Sequence, residues 1–108
     1  MRKYIVIKTQ FEAIHCWPDC DIPAVAFLSL PHRHIFYVVV KWTINDNNRE
    51  KEFIMQKRGV ELFLGTWSRR DIGGMSCEDI AETLLKEFKA DFVSVFEDNE
   101  NGAEIWAE

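Results

Sequence analysis

Two long segments of the chain have the residue patterns of β-strands, and they restrict the possible folds more than any other feature. In the segment Lys3–His15, one parity carries the residues that a buried face requires, namely Ile5, Ile7, Phe11, Ala13 and His15. The second segment, from about His32 to Ile44, is rich in β-branched and aromatic residues, which favour strands. Because side chains alternate between the two faces of a strand, we predict two long strands, the first with one buried face.

The middle of the chain predicts two helices. Apolar residues at the i, i+3, i+4, i+7 spacing predict a first helix over roughly 56–67, and these residues are Val60, Phe63, Leu64 and Trp67. Ser76 is a predicted N-cap, with Asp79 three residues later. The second helix is therefore predicted over 77–89.

The remaining segments complete the predicted fold. Residues 92–97 and 103–107 are predicted to form closing strands on either side of a turn. Before the first helix, 49–55 is expected to extend the sheet, and the apolar run 24–28 is expected to pack down or to form a short helix. The predicted order is β-β-α-α-β-β. It describes a single α+β domain over residues 1–108, with an antiparallel four-stranded sheet and two helices on one face.

Composition and charge argue against several functional classes. The formal net charge of −5 disfavours binding to nucleic acid or to an anionic membrane, since both need basic patches. The longest apolar runs are too short to span a bilayer, and the N-terminus enters a strand pattern rather than a signal peptide. The three cysteines do not describe a disulfide framework. We therefore expect a soluble, cytoplasmic protein.

All three histidines fall at the ends of the predicted long strands. In His32-Arg33-His34, strand geometry puts both imidazoles on one face and Arg33 on the other. Such a pair can chelate one ion, and with His15 the set would leave a fourth position open, as in catalytic zinc sites. The alternative is that the histidines are half-buried and hydrogen-bonded, or simply exposed. Their spacing alone does not decide between the two.

Cys16 and Cys20, which follow His15, allow a different kind of metal site. A structural zinc site usually has a second pair of ligands. Here that pair would be His32 and His34.

Five short motifs occur in the order in which one known family carries them. They are F-E-A-I-H at 11–15, similar to F-x-A-x-H; H-R-H-I-F at 32–36, similar to H-G-H-x-[YF]; Glu52-Phe53, where the family has Asp-Phe; M-S-C-E-D-I-A at 75–81, similar to P-T-x-E-N-x-A; and V-S-V-F-E at 93–97 with Gly102-Ala103, similar to V-x-V-x-E-T. On these motifs the chain resembles the 6-pyruvoyltetrahydropterin synthase / 6-carboxytetrahydropterin synthase family over nearly its whole length. That family is built on the tunnelling fold (T-fold).

The resemblance implies roles for five residues. His15, His32 and His34 would be zinc ligands. Glu97 would anchor a pterin or a related bicyclic base through paired hydrogen bonds, with Ser76 as a second substrate-binding residue. The alternative for Glu97 is a solvated acid in an acidic turn. Because T-fold proteins close their barrels by association, the resemblance also implies a homo-oligomer, trimer-based or hexameric; the alternative is a monomer with capped sheet edges.

The chain departs from the family pattern at three places. The family's catalytic cysteine lies shortly before the H-x-H pair, where this chain has 27–30 without a thiol. The family's Asp-His pair is reduced to Asp71, and Arg33 replaces a glycine. A catalytic proton shuttle would therefore have to be Cys16, Cys20 or Asp71.

Two functions are consistent with this resemblance. The first is a zinc-dependent lyase that acts on a pterin substrate resembling dihydroneopterin triphosphate. The second, which the missing cysteine favours, is a non-catalytic module that binds a pterin, a purine or a nucleotide-like ligand. A third possibility is a scaffold whose histidines bind no metal.

Overall fold

The four strands form one antiparallel sheet in the order in which they occur in the chain. The computed structural model describes all 108 residues, and its strands are β1 (Lys3–His15), β2 (His32–Ile44), β3 (Phe92–Glu97) and β4 (Asn101–Trp106), arranged β1-β2-β3-β4. β1 and β2 pair along their full lengths, so that Lys3 lies opposite Ile44 and His15 lies opposite His32. The predicted α+β class and the predicted limits of β1, β2 and β3 are confirmed.

One face of this sheet packs against two helices, α1 (Phe53–Leu64) and α2 (Cys77–Glu87). The core draws alternate residues from the strands, as the period of two requires. Its largest fully buried side chains are Trp42, Phe36, Ile80, Leu84, Val38, Val40, Val60, Val93 and Val95. These side chains belong to a single hydrophobic cluster, so sheet and helices share one core.

Helix α1 begins three residues before its predicted start. The Glu52 side chain accepts hydrogen bonds from the backbone N–H groups of Ile54 and Met55, which satisfies two of the free donors of the first turn. The apolar side chains of that turn are exposed, so they lie outside the periodic stripe from which the helix was predicted. The prediction that 49–55 extends the sheet is therefore wrong.

The other boundaries differ from prediction by small amounts. Ser76 and Asp79 form the predicted capping box at the start of α2, and the helix ends at Glu87 rather than at 89. Strand β4 begins two residues earlier than predicted. The run 24–28 lies within a 3-10 helix, Pro23–Ser29, in which no residue is buried. None of the helices has the length and hydropathy needed to cross a membrane.

A loop segment, residues 69–73, runs along the outer edge of β1 near its end. The Arg69 N–H donates to the Glu12 carbonyl, and the Ile14 N–H donates to the Arg70 carbonyl. The Cys16 N–H then donates to the Gly73 carbonyl. The segment continues into Met75, and it thereby brings the start of α2 beside His15.

The core can be tested by comparing two leucines in helices. Leu84 is 0 % exposed and Leu62 is 82 % exposed. We expect Leu84→Ala to lower the free energy of unfolding by about 2–5 kcal/mol, because it leaves a cavity in a packed core. Leu62→Ala, the matched control, should change it by no more than about 0.5 kcal/mol. Urea unfolding followed by circular dichroism measures both, and equal effects would contradict the described core.

Candidate metal centre

The full-length pairing of β1 and β2 brings all three histidines to one end of the sheet. His15 lies opposite His32, and His34 lies one same-face step further along β2. The ring centroids of His15 and His32 are 4.6 Å apart, those of His32 and His34 are 4.9 Å apart, and those of His15 and His34 are 5.4 Å apart. The predicted grouping of the three residues is therefore present.

Glu97 joins this group from the neighbouring strand, since the end of β3 pairs with β2 opposite Phe36. Its Oε2 atom lies 2.9 Å from His15 Nε2, and its Oε1 atom lies 3.6 Å from His34 Nε2. The four residues can each offer one ligand atom, and these atoms lie within 4.8 Å of one another. A cluster of this size could hold a metal ion.

Each histidine is fixed through its other ring nitrogen. The Nδ1 atom of His15 lies 2.7 Å from the Met75 carbonyl oxygen, and that of His32 lies 2.8 Å from the Leu30 carbonyl oxygen. The Nδ1 atom of His34 lies 2.6 Å from Asp98 Oδ2. All three partners are acceptors, so each Nδ1 carries the proton and each Nε2 keeps its lone pair. The Nε2 atoms are therefore the nitrogens that can bind an ion.

His15 supplies the strongest sign that the residues fit a cation. Its Nε2 atom is buried, and in the neutral ring it finds no donor, because the nearby Oε2 atom of Glu97 is itself an acceptor. In the neutral ring, two lone pairs then face each other in a part-buried place, which is unfavourable. A proton or a metal ion between the two atoms relieves this. Three imidazoles and one carboxylate suit Zn²⁺, so the residues present fit that ion.

Without a metal, the same contact shifts the acidity of both partners. The hydrogen-bonding contact with Glu97 raises the pKa of His15 above its ordinary value of 6.5, although burial acts in the opposite direction. The contact with His15 lowers the pKa of Glu97 below its ordinary value of 4.5, again against the effect of burial. The metal-free pair is therefore stabilised as imidazolium and carboxylate.

A cavity of about 350 Å³ opens beside the cluster. Its walls include His15, His32, Glu97 and Trp17, together with the start of α2. Small-molecule sites usually occupy about 300–1,000 Å³, so this space is large enough for a small planar ligand.

The candidate residues of the sequence divide between this cavity and its surroundings. Cys16 and Ser76 line the cavity, as does Glu97. Cys20 lies outside it, with its Sγ atom 3.5 Å from the Val25 carbonyl oxygen. Asp71 also lies outside, where its Oδ1 atom accepts a hydrogen bond from the Gly73 N–H. The geometry therefore brings together the histidines, Glu97, Ser76 and Cys16.

Two residues of the site were missed in the sequence. Cys77 lines the cavity, and burial raises the pKa of its thiol to about 12, so that the thiol stays protonated near neutral pH. Its neighbours in the sequence indicate only a helix start. Asp98 holds His34, but in the sequence it is one acid of an acidic turn. The one signal that could have found it is its position next to Glu97.

The chain matches no model of a known protein family and no curated protein.

Metal binding can be tested with a matched pair of carboxylate variants. We expect the wild-type protein to bind one equivalent of Zn²⁺ per chain, measured by elemental analysis and by competition with a coloured chelator. Glu97→Gln should weaken binding by more than about tenfold, because it removes a charged ligand from the cluster. Glu104→Gln, on the exposed part of β4, should leave the affinity unchanged. Equal affinities of the two variants would contradict a role for Glu97 at the ion.

The pH dependence of stability tests the His15–Glu97 pair in chelator-treated protein. The raised pKa of His15 stabilises the fold below pH 6.5, and this contribution is lost as the pH rises through the raised value. The lowered pKa of Glu97 stabilises the fold above pH 4.5, and this contribution is lost as the pH falls through the lowered value. Urea unfolding should therefore show the largest deficit of Glu97→Gln between pH 4.5 and 6.5. A deficit that stays constant at higher pH would argue against the pair.

Proposed function

We propose that this chain is a zinc protein of the tetrahydropterin synthase type that acts on a pterin substrate resembling dihydroneopterin triphosphate. The observation that carries the proposal is the cluster of three histidines and Glu97, which lies at the wall of a cavity that also contains a thiol, Cys16. Zinc held there by the three histidines, with a fourth position left for the substrate, would polarise oxygens of the substrate and acidify the neighbouring C–H bonds. The order of elements and the motifs support the finer assignment to the T-fold.

The walls of the cavity suit a flat ring that carries N–H groups. The Glu97 carboxylate lies in the cavity wall, and the lone pairs that it does not turn toward the histidines can accept hydrogen bonds from the edge of a 2-amino-4-oxo ring. Trp17 provides an aromatic face for stacking. The Ser76 oxygen accepts a hydrogen bond from the Asp79 N–H, which leaves the Ser76 hydroxyl proton free to be donated to a ligand. These groups would bind and orient the ring.

Cys16 is the proposed proton shuttle. Of the three candidates from the sequence, it is the one that lines the cavity. The other thiol in the wall, Cys77, is held protonated by burial and is a poor base. A thiolate can act as a base near neutral pH when its surroundings favour the charged form, and Cys16 is only half-buried.

A second candidate function is capture of a pterin, a purine or a nucleotide-like ligand without turnover. Two of the three candidate proton shuttles, Cys20 and Asp71, lie outside the cavity, and only Cys16 remains in its wall. This position of Cys20 and Asp71 favours binding without turnover. In this function Glu97 and the metal would serve only to hold the ligand.

The open edges of the sheet support a homo-oligomer. β1 and β4 are the outer strands of the sheet, and outer strands expose unpaired backbone groups that favour pairing with another chain. We propose a trimer-based or hexameric assembly of this protein in the cytoplasm. Light scattering on a size-exclusion column measures the mass directly, and a monomer at all concentrations would contradict the proposal.

The decisive experiment is a turnover assay on dihydroneopterin triphosphate, with zinc content measured on the same sample. We expect Cys16→Ser to lower kcat by at least about a hundredfold, because general-base catalysis contributes at least that much. Cys20→Ser, the matched control, should keep its activity. Calorimetry with pterins and purine nucleotides separates the second function, which predicts binding without turnover. If zinc-loaded protein bound none of these compounds, both functions would be excluded.

A further inference from the structure

Asp98 lies at the end of β3, where the chain turns toward β4. Its backbone has a φ of 53°, in the left-handed region that aspartate tolerates better than most residues. Its N–H donates to the Ile35 carbonyl oxygen at 2.7 Å, and its Oδ1 atom accepts from the Ile35 N–H at 3.1 Å. Two hydrogen bonds therefore fix this residue against β2, and the carboxylate is left pointing at His34.

His34 differs from the other two histidines in the group that holds its ring. His15 and His32 are held by backbone carbonyl oxygens, whereas His34 is held by a side chain that carries a charge. The distance of 2.6 Å between His34 Nδ1 and Asp98 Oδ2 is short, as expected for a hydrogen bond to an ionised acceptor. Of the three ring anchors, this one alone can be removed by substitution.

We propose that Asp98 is a positioning residue for the metal centre. It keeps the proton on His34 Nδ1, holds the ring plane, and so presents the Nε2 lone pair to the ion without touching the ion itself. This inference rests on the proposed zinc site.

In this role, Asp98 acts mainly by orienting the His34 ring and less by the attraction of its negative charge for the ion. The Asp98 side chain is 46 % exposed, so solvent screens much of its attraction for an ion that it does not contact. The hydrogen bond, in contrast, acts directly on the ligand ring. Outer partners of ligating histidines typically change metal affinity by about 10–100-fold.

The test compares Asp98→Ala with Glu100→Gln in the full chain. Glu100 is an exposed carboxylate in the same turn, so its substitution removes the same charge without touching His34. Zinc competition against a coloured chelator should show affinity about 10–100-fold weaker for Asp98→Ala and within about threefold of wild type for Glu100→Gln. The visible absorption of the Co²⁺-loaded proteins should change in Asp98→Ala only, because it reports the geometry of the ligands.

Each outcome has a separate meaning. Equal affinities of wild type and Asp98→Ala would overturn the role of Asp98 and leave the zinc site standing. Equal weakening by both substitutions would show an effect of charge and would also overturn it. If wild-type protein bound no Zn²⁺, the proposed zinc site would fall, and this inference with it. If Asp98→Ala does not fold, Asp98→Asn replaces it. An amide has the same shape but cannot accept both hydrogen bonds, so we expect zinc affinity to fall by about 10–100-fold here as well.

Discussion

The pairing of β1 with β2 over their whole lengths is the constraint on which the rest of the structure depends. The two strands form a hairpin, and the segment that connects them is sixteen residues long, from Cys16 to Pro31. Because side chains alternate along a strand, a slip of one residue would turn every buried side chain of β1 to the opposite face. The buried Phe11 and Ala13 therefore fix the register, and the same register places His15 opposite His32. One pairing therefore specifies both the packing of the core and the grouping of the histidines.

The site itself is organised around a close contact between two acceptors, which needs a proton or a cation between them. Strand pairing brings the Glu97 carboxylate against a buried nitrogen of His15, and the Met75 carbonyl keeps the ring proton on the far side. A buried acceptor without a donor is costly by about 1–3 kcal/mol. Protonation of His15 supplies that donor in the metal-free protein, and a bound cation would take the place of the proton. The stability of the sheet thus maintains a local geometry that favours an ion.

A structural feature could be predicted from the sequence when the interactions that form it join residues that are close together in the chain. Strands β1 and β2, and the cap at Ser76, follow from local periodicity and local hydrogen bonding, and they were predicted well. The start of α1 was not predicted correctly. The residues that follow the Glu52 cap are apolar but exposed, and hydrophobic periodicity detects only those residues of a helix that face the core.

The parts of the site that were missed come from distant segments. Asp98 meets His34 across 64 positions of the chain, and Met75 meets His15 across 60. No local pattern predicts such contacts, because the sequences of the turn after β3 and of the loop before α2 are those of ordinary surface segments. The histidines could be found because strand geometry makes their spacing informative, whereas their anchors carry no such spacing.

The loop segment along β1 makes the two halves of that sheet edge different, because it covers only the end of the strand. Where residues 69–73 occupy the outer edge, the Glu12 carbonyl, both backbone groups of Ile14 and the Cys16 N–H are already paired within the chain. A strand from another molecule can therefore join β1 only toward its beginning, away from the histidines. The end of the sheet that holds the site is closed on this side by the chain itself. The fold of the single chain therefore determines which part of this edge is open to pairing.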